Sequence, residues 1–291
     1  MLTAGDRTHS QGTVRVMVTL PHAPQGVDPE RPAPARVYDY LLGGGHNFEC
    51  DRQAANRVLT LVPEVKDCAW ANRGFHQRAA RWIAERGIRQ FLDIGSGLPT
   101  VGNTHEVVQL VDPDCRVVYV DSDPMVSKES QRLVTDPRRV RVIQGDLRDP
   151  ASILAHPDVG DLIDFGQPAG LLLTAVVHFV ADGHDPGALV RRLVSALAPG
   201  SYVALSHLTS DRMPLRSVNA FHELFERATE QIHFRSQEEI AGLFSGLELV
   251  SPSSPESDGE LSYAGVWGAE DESVADSDGS RWLYCGVARR P

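Results

Sequence analysis

The stretch Phe91-Leu-Asp-Ile-Gly-Ser-Gly-Leu-Pro99 constrains the fold of this chain more than any other. Its apolar start, residues 89–94, reads as a short buried strand that runs straight into a glycine turn. Asp93 sits near the strand's end, and Gly95 and Gly97 allow a tight turn with close approach of backbone to a ligand. Pro99 predicts a helix starting there, because a missing N–H costs nothing in a first helical turn. Strand, glycine turn and helix N-terminus together make a site able to hold a nucleotide-like ligand. The next glycine, Gly102, falls two residues late for the dinucleotide fingerprint G-x-G-x-x-G. That spacing counts against an NAD(P)-linked oxidoreductase. A glycine turn in any α/β protein is the competing reading of this stretch alone.

Two further stretches narrow the choice. Arg116-Val-Val-Tyr-Val-Asp121 is a second apolar run ending in an acid, followed by Ser122-Asp123-Pro124 as a turn into a helix. In nucleotide-binding α/β folds an acid at this place accepts hydrogen bonds from ribose hydroxyls. Val140-Arg-Val-Ile-Gln-Gly-Asp146 is a third such run. One aspartate at a strand end could be a turn residue; three consecutive ones point to a shared site at one sheet edge.

At 291 residues the chain is long enough for one large α/β domain with additions. A net charge of −11 argues against a nucleic-acid partner, which needs a basic face. Cys50, Cys68, Cys115 and Cys285 show no C-x-x-C spacing, which suits a reducing cytoplasm without a disulfide framework or zinc site. No apolar run has the length of a membrane span, and the start of the chain lacks a signal-peptide layout. Residues 1–33, rich in Pro, Gly and polar side chains, are expected to lack fixed structure, and 251–280, rich in Ser, Gly, Asp and Glu, to be a mobile loop.

The pattern D-x-G-x-G at Asp93–Gly97 resembles the first motif of class I S-adenosylmethionine (SAM) methyltransferases. Pro34-Ala-Arg-Val-Tyr-Asp-Tyr-Leu-Leu-Gly-Gly-Gly-His-Asn-Phe48, with Asp51-Arg52, resembles the opening of a bacterial SAM-dependent methyltransferase family long known only as a domain of unknown function. The likeness continues through Leu61–Val65, Ala71–Arg73, Gly102-Asn103, His105–Val107, Asp146–Pro150, Val177–Val180, Ala198–Ser201 and Arg235–Ile240, and returns in the closing strand. The family pattern carries a lysine at the place of Gly45, so no role of that cation carries over. The resemblance implies an α/β, doubly wound, seven-stranded, mostly parallel sheet over residues 88–291, a helical cap over 34–87, and SAM as cofactor with S-adenosylhomocysteine as product. It places Asp121 at the ribose, Asp146 at the adenine amino group, and Ser122, Met125 and Leu147 around them. Asp93 would meet the methionine ammonium directly or through water.

The remaining residues give further candidates. Gly43-Gly44-Gly45 ends a helix over residues 35–42 and reads either as a mobile loop or as a lid carrying His46 and Asn47. Tyr38, Asn72 and Arg73 lie on helices that cover the pocket in the resembled family; a solvated helix face is the competing reading for the last two. Asp51 is a candidate N-cap. A continuous apolar run, 169–175, suits a central buried strand and delivers His178 to the ligand-binding edge of the sheet. His178 is the leading candidate for a general base or substrate-orienting residue, since imidazole titrates near neutrality, and a backbone-bonding histidine is the alternative. His207, ending the next strand, is the second acid–base candidate. Residues 212–230 read as a helix with Phe221, Leu224 and Phe225 on one face, shaping an acceptor site. The expected function is methyl transfer to a small-molecule acceptor, with SAM binding without turnover as the alternative.

Overall fold

A computed structural model describes residues 23–100, 102–253 and 259–291. Its elements follow in the order α1 (Pro34–Leu41), α2 (Glu49–Leu61), α3 (Val65–Glu85), β1 (Gln90–Ile94), α4 (Thr104–Val111), β2 (Arg116–Asp121), α5 (Pro124–Gln131) and β3 (Val140–Gln144). Then come α6 (Pro150–Leu154), α7 (Pro157–Leu162), β4 (Gly170–Thr174), α8 (Pro186–Ala196), β5 (Tyr202–Leu208), α9 (Leu215–Glu226) and α10 (Gln237–Gly242). The described chain closes with β6 (Glu248–Leu249), β7 (Ser262–Tyr263), α11 (Glu272–Ala275) and β8 (Leu283–Arg289).

The sheet runs β3-β2-β1-β4-β5-β8-β6, with β7 paired to β8 beside that path. The first five strands in that order are mutually parallel, and β8 lies antiparallel between β5 and β6. Strand period fixes the layering. Val117 and Tyr119, Leu172 and Ala204 face one apolar core, whereas Val118 and Val120, Leu171 and Leu173, Val203 and Leu205 face the other. Apolar residues of both parities are what a sheet covered on both faces demands. On the first face α3 buries Phe75, Ala79, Ala80 and Ile83 against the sheet, each with no exposure. Burial of that one phenylalanine contributes on the order of 2–3 kcal/mol. On the second face lie α7, α8 and α10, through Val159, Leu193 and Ile240.

Four local expectations are revised. The helix after β1 starts at Thr104, not Pro99: Gly102 takes φ +69°, which breaks helical geometry, and Asn103 then opens α4 in a capping box with Glu106. Asp51 is the third helical residue of α2; it accepts from the N–H of Phe48, the N-cap, at 2.8 Å, and also holds Arg36. Of the stretch expected to lack fixed structure, residues 1–22 lie outside the described residues, while 24–33 form turns held by Arg31 on the carbonyl of Ala228 and Arg36 on that of Asp28. In the acidic stretch 251–280, the described residues 259–280 are anchored by aromatic side chains among their polar ones. Trp267 is 2% exposed and meets Phe75 edge-on at 5.4 Å, and Tyr263 stacks on Tyr284 at 5.0 Å. Among the described residues no helix is long and apolar enough to cross a membrane.

Candidate functional site

Four parallel strands, β3, β2, β1 and β4, end side by side on a cavity of about 480 Å3, within the range of small-molecule sites. The turn after β1 forms its floor. Gly95 has φ +71° and lies against the wall: a Cβ there would stand 2.2 Å from Val176 Cγ2. Gly97, at φ +67°, faces open space, so any side chain would fill room that a ligand needs.

Asp121, the last residue of β2, and Asp146, just past β3, line the same cavity. Asp121 accepts from the N–H of Gly97 at 2.9 Å and of Asp123 at 3.0 Å, and burial pushes its carboxyl up to about 6. Asp146 accepts from Arg148 N at 2.8 Å and Nε at 2.9 Å. Partial burial works to raise the Asp146 carboxyl, but the Arg148 hydrogen bonds and charge hold it below the usual carboxylate range. Arg148 also reaches Glu230 at 3.1 Å, and both line the cavity.

Ser122, Leu147, Tyr38, Asn72, Arg73 and His178 line it too. A hydrogen-bonded chain locks several of these. Tyr38 OH donates to the carbonyl of Ala69 at 2.9 Å and accepts from Asn72 Nδ2 at 3.0 Å, while Ser206 Oγ donates to Asn72 Oδ1 at 2.6 Å. Ser206 Oγ in turn accepts from the N–H of Ala175 at 2.9 Å. Ala175 has φ +53°, a left-handed conformation costly for a residue with a Cβ. That strain sits on the cavity wall, pinned by its neighbours, as is common at functional sites.

His178 is 3% exposed, and its Nδ1 accepts from the N–H of Leu208 at 3.4 Å. Burial, then the neighbouring His207 and Arg235, hold it well below the usual imidazole value. A neutral ring whose Nδ1 accepts must carry its proton on Nε2. In this form His178, which lines the cavity, carries a donor at Nε2, and its Nδ1 lone pair is already engaged.

Five candidates lie outside the lining. Asp93 is set behind the wall: it accepts from Thr104 Oγ1 at 2.5 Å, and burial pushes it up to about 6. His207 is fully buried and fully engaged, its Nδ1 on the carbonyl of Leu208 and its Nε2 on Arg235 Nη1, both at 2.7 Å. Arg235 in turn holds the carbonyl of Val180 and Asp182 at 2.7 Å. His207 thus fastens the loop after β4, and acid–base chemistry is corrected to a structural role. Met125 is a core residue packed with Leu98 and Val126; its chain neighbours Asp123 and Pro124 reach the cavity instead. Asn47 Nδ2 and the backbone N–H of His46 both donate to Asp39 at 2.8 Å, and the His46 ring lies 3.9 Å from Asp39 and 3.7 Å from Glu129. Gly44 belongs to the same knot, since a Cβ on it would stand 2.0 Å from Asp39 Oδ1.

Sequence reasoning missed Thr174, His76, Val27, Arg148 and Glu230, all in the lining. Two signals were available: Thr174 ends β4 as Asp121 ends β2, and His76 lies one helical turn after Asn72 on the same face of α3. Among the described residues no cluster of His, Cys, Asp or Glu could hold a metal ion.

Comparisons with known proteins agree with this geometry. A family model described as S-adenosyl methyltransferase matches residues 21–291. The chain is similar to a crystal structure of a candidate methyltransferase from Thermobifida fusca YX, at 39% identity and a TM-score of 0.83, over 92% of this chain and 98% of that one. It is also similar to a DUF574 family protein from Streptomyces avermitilis MA-4680, at 36% identity and a TM-score of 0.84, over 91% and 99%. Curated proteins give no significant match. The cavity fits SAM on its own chemistry: Gly97 leaves open space, Asp121 and Asp146 present acceptors at adjacent strand ends, and the volume suffices.

Proposed function

The chain belongs to the S-adenosyl methyltransferase family, and we propose that this SAM-dependent enzyme methylates a small organic acceptor held beside His178. The observation that carries the acceptor class is the lining near His178. Phe179, Phe221, Leu224, Phe225, Leu208 and Leu283 supply apolar side chains to the lining, with Phe179 edge-on to both His178 at 4.5 Å and Phe225 at 5.4 Å, while charge enters from Asp28, from Arg148 and from Glu230 just beyond α9. A net charge of −11 further disfavours a nucleic-acid acceptor.

In this reading SAM supplies a methyl group already activated by a sulfonium centre. The residues bind, orient and exclude water. Asp121 accepts from the ribose hydroxyls and Asp146 from the adenine amino group, with Ser122 and Leu147 beside them. Gly95 and Gly97 let the backbone approach the cofactor, and the buried cation Arg73 pairs with its carboxylate. His178 hydrogen-bonds the acceptor molecule and orients its reacting atom toward the methyl group. Asn72 and Tyr38, locked by Ser206, hold the wall around it. Residues 34–87 act as the helical cap that shields the cavity from water. Four free cysteines support a reducing, cytoplasmic setting.

The test is to incubate the protein with methyl-tritiated SAM and a cell extract, then separate small molecules, protein and nucleic acid. Label in the small-molecule fraction, with turnover strongly reduced in His178→Phe while S-adenosylhomocysteine binding persists, is the expected result. Label in a macromolecular fraction overturns the proposed acceptor class.

A further inference from the structure

Asp93 does not reach the cavity, yet a continuous set of short contacts leads from it to the cavity wall. Asp93 Oδ2 meets Thr104 Oγ1 at 2.5 Å, Thr104 Oγ1 meets His76 Nε2 at 2.8 Å, and His76 Nδ1 meets Thr174 Oγ1 at 2.8 Å. All four side chains are buried, and His76 and Thr174 line the cavity. His76 Nε2 stands 3.8 Å from Asp93, so the hydroxyl of Thr104 makes the link.

The direction of every proton in this chain follows from the first. An ionised carboxylate only accepts, so Thr104 spends its one hydroxyl proton on Asp93. Thr104 must then accept from His76 Nε2–H. Burial and the nearby Arg73 keep His76 neutral, with its value pushed down to about 3. A neutral imidazole has a single N–H, so Nδ1 accepts, and Thr174 spends its own proton there. Thr174 Oγ1 is left with lone pairs and no hydrogen to give, so it selects a donor from any ligand in the cavity.

Sheet order says which donor. From Asp146 past β3 through Asp121 on β2 and Gly95 after β1 to Thr174 on β4, the ligand crosses neighbouring strands. Three strand spacings amount to about 14 Å, which suits a ligand laid out as adenine, ribose and amino acid in that order. We propose that Thr174 Oγ1 accepts a hydrogen bond from the α-ammonium of SAM, and that Thr104 and His76 relay the polarity of Asp93 to it. Thr174 is the binding residue; His76, Thr104 and Asp93 are positioning residues. The inference rests on the reading that this cavity takes SAM.

Calorimetric titration with S-adenosylhomocysteine and with 5′-methylthioadenosine, which shares the adenosine and lacks the amino acid, tests it without turnover. Thr174→Val should weaken S-adenosylhomocysteine binding about tenfold to a hundredfold, the scale of a hydrogen bond to a charged group, and leave 5′-methylthioadenosine unchanged. Thr174→Ser should restore the loss. His76→Phe should act in the same direction, and the double variant should lose little more than Thr174→Val alone, since both remove one relay. Equal losses for both ligands, or wild-type binding of S-adenosylhomocysteine by Thr174→Val, overturn the proposal. Failure of the wild-type protein to bind either ligand would instead sink the reading of the cavity itself, and this proposal with it.

Discussion

Asp121 sets a pH dependence that can be worked out from its surroundings. It is a half-buried acid whose two oxygens rest on backbone N–H groups, and the desolvation of its carboxyl raises it to about 6. Ribose hydroxyls donate to the ionised form, so ligand binding favours ionisation, and affinity should climb as pH rises through about 6 and level off above it. For one site at that value the ionised fraction falls from about nine-tenths at pH 7 to about one-tenth at pH 5, so affinity should fall about tenfold, roughly 1.4 kcal/mol. 5′-Methylthioadenosine isolates this effect because it carries the ribose without the amino acid. S-Adenosylhomocysteine should fall further, since Asp93, raised to about 6 by burial, would take up a proton and weaken its relay.

Stability runs in the opposite direction. Both acids hold their protons more tightly folded than unfolded, where 3.8 is the ordinary value. Their contribution is therefore full below about pH 3.8 and lost as pH rises through about 6, on the order of 3 kcal/mol for each. Titration calorimetry between pH 5 and pH 7.5, with a thermal melt at each pH to verify folding, measures both effects. An affinity for 5′-methylthioadenosine that stays flat across this range in folded protein would refute the reasoning.

The two glycines of the turn should fail differently. Gly95→Ala puts a methyl group into Val176 and should cost about 3 kcal/mol of stability through overpacking and a left-handed backbone, read as a large drop in Tm. Gly97→Ala meets no neighbour, so its melt should shift by only about 1–2 kcal/mol while S-adenosylhomocysteine binding is lost in calorimetry. His207→Phe leaves a buried guanidinium N–H of Arg235 unpartnered and should cost about 1–3 kcal/mol by denaturant melt. S-Adenosylhomocysteine affinity should stay within about twofold, because His207 is outside the cavity lining.

The sequence by itself determined the sheet and its ligand-binding edge. Alternating and continuous apolar runs are set by strand period, and an acid or glycine where such a run stops is a local signal, so Gly95, Gly97, Asp121 and Asp146 were legible as one site. Family resemblance put Asn72, Arg73 and Tyr38 among the candidates, and the structure brings all three into the lining, with Ser206 locking two of them. Tertiary structure alone decided which titratable groups face the cavity. Both His178 and His207 end up near the same sheet edge, and the choice between them turns on Arg235, 28 residues beyond His207 and in hydrogen-bond contact with it. Asp93 looked like a ligand of the methionine ammonium, directly or through water, because strand-end position is a one-dimensional cue. Thr104, His76 and Thr174 come together from three separate elements to stand between it and the cavity. Strand ends are encoded by neighbours in the chain, whereas the direction of a proton is encoded by neighbours in space.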